Sequence, residues 1–90
     1  MFLVYILFSE SLDRYYIGHT NNLERRLAEH NRIKGKYTDA GIPWKIVHIE
    51  TFNSKEEAYD RERYIKSRKS RDYVRSLISS SDNGTANDSA

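Results

Sequence analysis

Five side chains define the chemistry open to this sequence. Tyr5 and Tyr16 stand in two short strings, Val4-Tyr5-Ile6 and Tyr16-Ile17-Gly18. Arg26 and His30 follow one helical turn apart, and Glu62 comes from much further along the chain. The arginine, the histidine and the glutamate all fall where a folded domain prefers apolar side chains. A half-buried carboxylate is costly unless it is paired or binds a metal. The combination points to metal-dependent cleavage of a phosphodiester.

Those groups can meet only if several elements bring them together. Leu3 to Phe8 is rich in β-branched and aromatic residues and reads as a central strand. Ser9 to Asp13 is a polar turn, and Arg14 to Thr20 alternates as the second strand of a hairpin. Asn21 or Asn22 caps a helix from Leu23 to Asn31. Arg32 to Pro43 contains Gly35, Gly41 and Pro43 and reads as a loop. Trp44 to Phe52 is a third strand. Ser54 with Glu57 three residues on is a capping box opening a helix that runs to Ser67. A third helix starts near Ser70, with Tyr73, Val74, Leu77 and Ile78 at helical spacing. Residues 79–90 hold Ser, Asn, Asp, Gly, Thr and Ala with nothing to bury, so a disordered tail is expected after a domain over 1–78. The expected fold is α+β, an α/β sandwich in the order β-β-α-β-α-α, with helices against a three-stranded antiparallel sheet.

Periodicity then assigns faces. Successive strand residues alternate, so a hairpin lets Tyr5 and Tyr16 project from one face, and Gly18 leaves that face open to a helix or a ligand. On the first helix Leu23 and Leu27 point inward, with Arg26 and His30 on either side of their stripe. Arg25 and Glu29 point outward and are spaced to pair. On the second helix Ala58, Arg61, Glu62 and Ile65 share a face. No partner is evident for His19 or His48.

Ninety residues allow one domain with a small core. The net charge of +2 is too small to argue for a nucleic-acid partner by itself. Its distribution argues better: residues 61–75 carry seven basic side chains against Glu62 and Asp72. The chain has no cysteine, which excludes disulfides, thiolate metal sites and thiol catalysis and fits a reducing cytoplasm. The apolar start, Met1 to Phe8, is too short to span a bilayer and lacks the features of a signal peptide.

Each residue also has a plain structural reading: core tyrosines with satisfied hydroxyls, a bulge at Gly18, an Arg26–Glu62 ion pair, a packing histidine, a solvated basic helix face. Their joint occurrence at compatible phase is what favours a site.

The string from Tyr16 to Asn31, Tyr-Ile-Gly-His-Thr-Asn-Asn-Leu-Glu-Arg-Arg-Leu-Ala-Glu-His-Asn, resembles the GIY-YIG nuclease family. Leu3-Val4-Tyr5 occupies the GIY slot, with leucine where the family's first glycine stands, and Tyr16-Ile17-Gly18 the YIG slot. Arg26 falls at the family's essential arginine, His30 at its common histidine, and Glu62 at its metal-binding glutamate. The likeness covers residues 2–78 and is greatest to small stand-alone bacterial members, related to the nuclease domain of the excision-repair incision subunit. No separate DNA-targeting domain is expected.

The resemblance implies a cytoplasmic bacterial endonuclease that hydrolyses DNA with one Mg²⁺ or Mn²⁺ ion. Glu62 anchors the ion, Arg26 stabilises phosphoryl charge, and Tyr5 or Tyr16 serves as general base, with Tyr16 favoured. His30 hydrogen-bonds a tyrosine or the scissile phosphate. Gly18 opens the face to substrate, and Lys34, Lys36, Lys66, Arg68, Lys69 and Arg71 hold flanking phosphates. Single-stranded, duplex and branched DNA all fit this pattern. Two other readings stand beside it: a nucleic-acid-binding module that does not cut or needs an activating protein partner, and a structural protein with a buried polar network.

Overall fold

A computed structural model describes residues 1–80 in full and the helical backbone as far as Ser89. The element order is β1 (Phe2–Ser9), β2 (Arg14–Thr20), α1 (Leu23–His30), β3 (Lys45–Phe52), α2 (Lys55–Ser67) and α3 (Arg71–Ser89), with a short 3-10 helix at Tyr37–Gly41 inside the loop before β3. This is the expected α+β order. The tail expected over 79–90 lies, from residue 81, outside the described side chains.

The apolar run of β1 makes it the middle strand, in the order β2-β1-β3, all antiparallel. The hairpin register sets Tyr5 opposite Gly18 and Leu7 opposite Tyr16. Against β3 the register slips between Ile6 and Leu7, which leaves Val47 as an extra residue.

Strand alternation divides the core in two. Val4 and Ile6 point to one face and pack with Ala58, Ile65 and Val74 of α2 and α3. Tyr5 and Leu7 point to the other and pack with Trp44, Leu23 and Leu27 of α1, and Tyr16. The sheet is therefore sandwiched, α1 on one side and α2 with α3 on the other.

Local chemistry sets the helix ends. The Asn22 side chain accepts from Arg25 N at 3.0 Å, and Thr20 Oγ1 accepts from Asn22 N at 3.0 Å, so α1 starts directly off the end of β2. The capping box at α2 is formed in both directions: Ser54 Oγ accepts from Glu57 N, and Glu57 accepts from Ser54 N. At the other end of α1, the Asn31 amide bonds both ways with the Trp44 backbone, at 2.6 and 3.2 Å, which ties the helix to the start of β3.

The polar contacts between layers sit at the sheet edges. Arg61 of α2 donates twice to Glu50 of β3, at 2.8 and 3.1 Å, and once to the Tyr73 hydroxyl of α3. His48 lies 2.8 Å from Glu50 on the same strand. This bidentate pair holds α2, α3 and β3 together, so Arg61 serves the fold. Among the described residues no helix is long and apolar enough to cross a membrane.

Candidate active site

The site is built around β2, one of the two edge strands, and uses both of its faces. On the α1 face the Tyr5 and Tyr16 rings stack, with centroids 6.4 Å apart and planes 18° apart. The His30 ring packs edge-on against both, at 4.5 Å from Tyr16 and 6.0 Å from Tyr5. Its Nε2 lies 3.1 Å from the Tyr5 hydroxyl.

The two tyrosines are not equivalent. Tyr5 is 0% exposed, whereas Tyr16 lines a cavity of about 460 Å³ with Arg26, Glu29, His30, Arg32, Lys34, Lys36 and Thr38. Burial raises the pKa of Tyr5, against the opposing pull of the neighbouring Arg26 guanidinium. Tyr5 is thus held as a neutral phenol. Its hydroxyl shares a hydrogen bond with His30 Nε2, and the tautomer of the ring sets which of the two donates. Burial, then Arg26 and Lys34, lower the pKa of His30, so this ring is neutral at pH 7.

Lys34 and Lys36 reach this cavity because the loop is tied to a carboxylate. Asp39 accepts the backbone N–H groups of Lys34, Gly35 and Lys36 at 2.7 to 3.1 Å. Arg26 donates to Glu29 at 2.9 Å. The expected surface pair was Arg25 with Glu29; the i,i+3 spacing on this two-turn helix selects Arg26 instead, and Arg25 is exposed.

Glu62, carried by α2, sits on the other face. Its Oε1 lies 2.6 Å from His19 Nδ1 and its Oε2 2.6 Å from Lys66 Nζ. Burial alone would raise the pKa of Glu62, but Lys66 and His19 together hold it below the ordinary carboxylate value. Sequence reasoning left His19 without a partner, because a contact between residues 43 apart, strand to helix, carries no local signal. An Arg26–Glu62 ion pair is absent from the contacts of either side chain.

The two half-sites meet at the end of β2. Arg26 lines the cavity with Tyr16 and His30, and also a second one of about 260 Å³ with Phe2, His19, Thr20, Asn21 and Lys55. Glu62 also acts electrostatically on Tyr5, raising its pKa slightly through space.

The basic residues after Glu62 divide. Lys66, Lys69 and Arg71 line a groove of about 410 Å³ with Arg14, Tyr15, Ile17 and Ser70. Arg71 also binds the Asp13 carboxylate and lies 5.2 Å over the Tyr15 ring. Arg68 is turned to the Tyr73 and Tyr64 rings, at 5.2 and 5.9 Å, and stays out of the groove.

The donor chemistry suits a hard divalent cation. Among the described residues no group of three histidine, cysteine, aspartate or glutamate side chains is gathered. A single ionised carboxylate leaves most of a coordination shell to water and phosphate oxygens, as Mg²⁺ prefers. Oε2 of Glu62 already carries a positive partner, the Lys66 ammonium, whose side chain is 52% exposed.

The GIY-YIG catalytic domain family matches this chain over residues 1–74. A UPF0213 protein of Streptococcus pneumoniae is 50% identical over 56 residues, 61% of this chain and 57% of that protein. A UPF0213 protein of Natronomonas pharaonis is 48% identical over 65 residues, covering 71% and 75%. One from Clostridium perfringens is 48% identical over 64 residues, covering 70% and 68%. The chain spans 57% of the length of the two Streptococcus pneumoniae relatives it matches. No solved structure matches it.

Proposed function

We propose a function for this chain, which belongs to the GIY-YIG family. It is a divalent-metal-dependent endonuclease that hydrolyses phosphodiester bonds in DNA with little sequence preference of its own. The observation that carries this reading is the position of Arg26, whose side chain lines both the Tyr16–His30 cavity and the His19 cavity. A phosphate beside Arg26 is within reach of both faces of the β2 edge.

Glu62 would hold one Mg²⁺ or Mn²⁺ ion. When bound, the ion supplies positive charge and Lewis acidity at the phosphate. The chain's own groups do the rest. The Arg26 guanidinium donates to the non-bridging oxygens and stabilises the charge that grows on them. Tyr16 opens on the cavity and, as its phenolate, would take a proton from the attacking water. Tyr5, sealed and neutral, holds His30 in its edge-on pose. Lys34 and Lys36 on one side, and Lys66, Lys69 and Arg71 on the other, contact backbone phosphates without reading sequence.

Cleavage of end-labelled single-stranded, duplex and flap DNA with Mg²⁺, Mn²⁺ or EDTA tests this, beside Arg26→Ala and Glu62→Ala. Metal-dependent cutting lost in both variants supports the nuclease. DNA binding without cutting under every condition replaces it with a binding module that needs an activating protein partner.

A further inference from the structure

The Glu62 carboxylate has two partners of very different rigidity. Lys66 rides on the same helix, four residues on, and its side chain is 52% exposed. His19 belongs to the sheet. Its backbone is in the β1–β2 ladder opposite Val4, and the Tyr59 ring packs edge-on against its imidazole at 5.6 Å. His19 is 24% and Glu62 12% exposed, so their 2.6 Å contact is shielded from competing water.

A glutamate side chain has several rotamers to choose among, and ordering it costs entropy. A hydrogen bond from a group fixed by the sheet selects one of them. Because the carboxylate is ionised and only accepts, His19 Nδ1 must carry the proton of this bond. One oxygen of Glu62 is thereby committed to His19, and the other is left to the more exposed Lys66.

We propose that His19 is a positioning residue: bonded to one oxygen of Glu62, it fixes the carboxylate so that the remaining oxygen is presented to a divalent cation. This rests on the reading of Glu62 as the cation's ligand. Groups that orient a metal ligand through hydrogen bonds typically contribute about 10- to 100-fold in metal affinity.

The test is Mn²⁺ binding to the full chain without DNA, followed by electron paramagnetic resonance, for wild type, Glu62→Ala, His19→Phe and His19→Asn. Phenylalanine keeps a ring against Tyr59 and loses the donor. Asparagine places an amide N–H near the position of Nδ1–H. The expected result is about a 10-fold or greater loss of affinity in His19→Phe, with substantial recovery in His19→Asn and unchanged far-ultraviolet circular dichroism in both. Wild-type affinity in His19→Phe overturns the proposal while leaving Glu62 as ligand. Equal losses in His19→Phe and His19→Asn overturn it too, since the donor is then not what matters. If wild type and Glu62→Ala bind Mn²⁺ alike, or not at all, the ligand reading falls and takes the proposal with it.

Discussion

The hydroxyl end of Tyr5 rests against Gly18, so closely that a Cβ there would lie 2.5 Å from the phenol oxygen and 2.7 Å from Cζ. Tyr5 has no room to retreat: it is fully buried among Leu7, Trp44 and the α1 leucines, and its hydroxyl is bonded to His30. Gly18→Ala therefore overpacks a site that cannot give way. The expected cost is about 1–3 kcal/mol, read as a fall in Tm in a thermal melt, together with weaker cleavage because the phenol is pushed off His30. An unchanged Tm would contradict this close approach.

Acid should weaken the fold through His30. Burial, Arg26 and Lys34 disfavour the charged ring in the folded chain, so the unfolded chain binds the proton more readily. The contribution is complete above the ordinary value of 6.5 and is lost as the pH falls through the lowered folded value. Tm measured from pH 8 downward should drop below pH 6.5 more steeply in wild type than in His30→Gln, which has no proton to gain. Parallel curves would remove His30 as the cause.

Arg61 and Glu62 are adjacent in sequence, and their contributions to the fold and to cleavage can be separated by experiment. Arg61→Met removes both hydrogen bonds to Glu50 and the one to Tyr73, at a cost of about 2–3 kcal/mol for charged hydrogen bonds in a half-buried place. Cleavage by this variant should be retained at temperatures where it is folded. Glu62→Gln keeps the side-chain shape and a carbonyl oxygen for the His19 donor and gives up the charge and the exposed Lys66 pair, so its stability cost stays below about 1 kcal/mol. Its cleavage should fall about a hundredfold or more. Melts and rates on the same preparations decide the matter, and the reverse pattern would make Glu62 the structural residue.

That contrast also marks how far the sequence could be read. The strands, the caps at Asn22 and Ser54, and the shared face of Tyr5 and Tyr16 follow from local periodicity and turn chemistry, and the structure has all of them. Helical phase correctly made Arg25 exposed and set Arg26 at the rim of the core, but it paired the wrong arginine with Glu29, because spacing alone does not distinguish i,i+3 from i,i+4 on two turns. The burial that separates Tyr5 from Tyr16 depends on α1 closing over the sheet, which no short string encodes. The His19–Glu62 and Arg61–Glu50 contacts join distant segments and were illegible for the same reason.

Lys66 should act differently with and without a cation. Its ammonium, 2.6 Å from Glu62 Oε2, occupies the oxygen a cation needs. An exposed i,i+4 pair is worth only about 0.3–0.5 kcal/mol, so displacing it costs about a twofold loss of metal affinity. Lys66→Met should accordingly bind Mn²⁺ about twofold more tightly. Once displaced, Lys66 is free at the rim of the groove it shares with Lys69 and Arg71. There it can meet a phosphate and release a counterion. The salt dependence of binding to nuclease-resistant phosphorothioate DNA should then lose about one unit of slope in Lys66→Met when Mg²⁺ is present. In EDTA, where wild-type Lys66 stays on Glu62, the two slopes should coincide. A slope difference that persists in EDTA would mean that Lys66 reaches the phosphate without leaving the carboxylate, and that cation and substrate do not exchange places on this side chain.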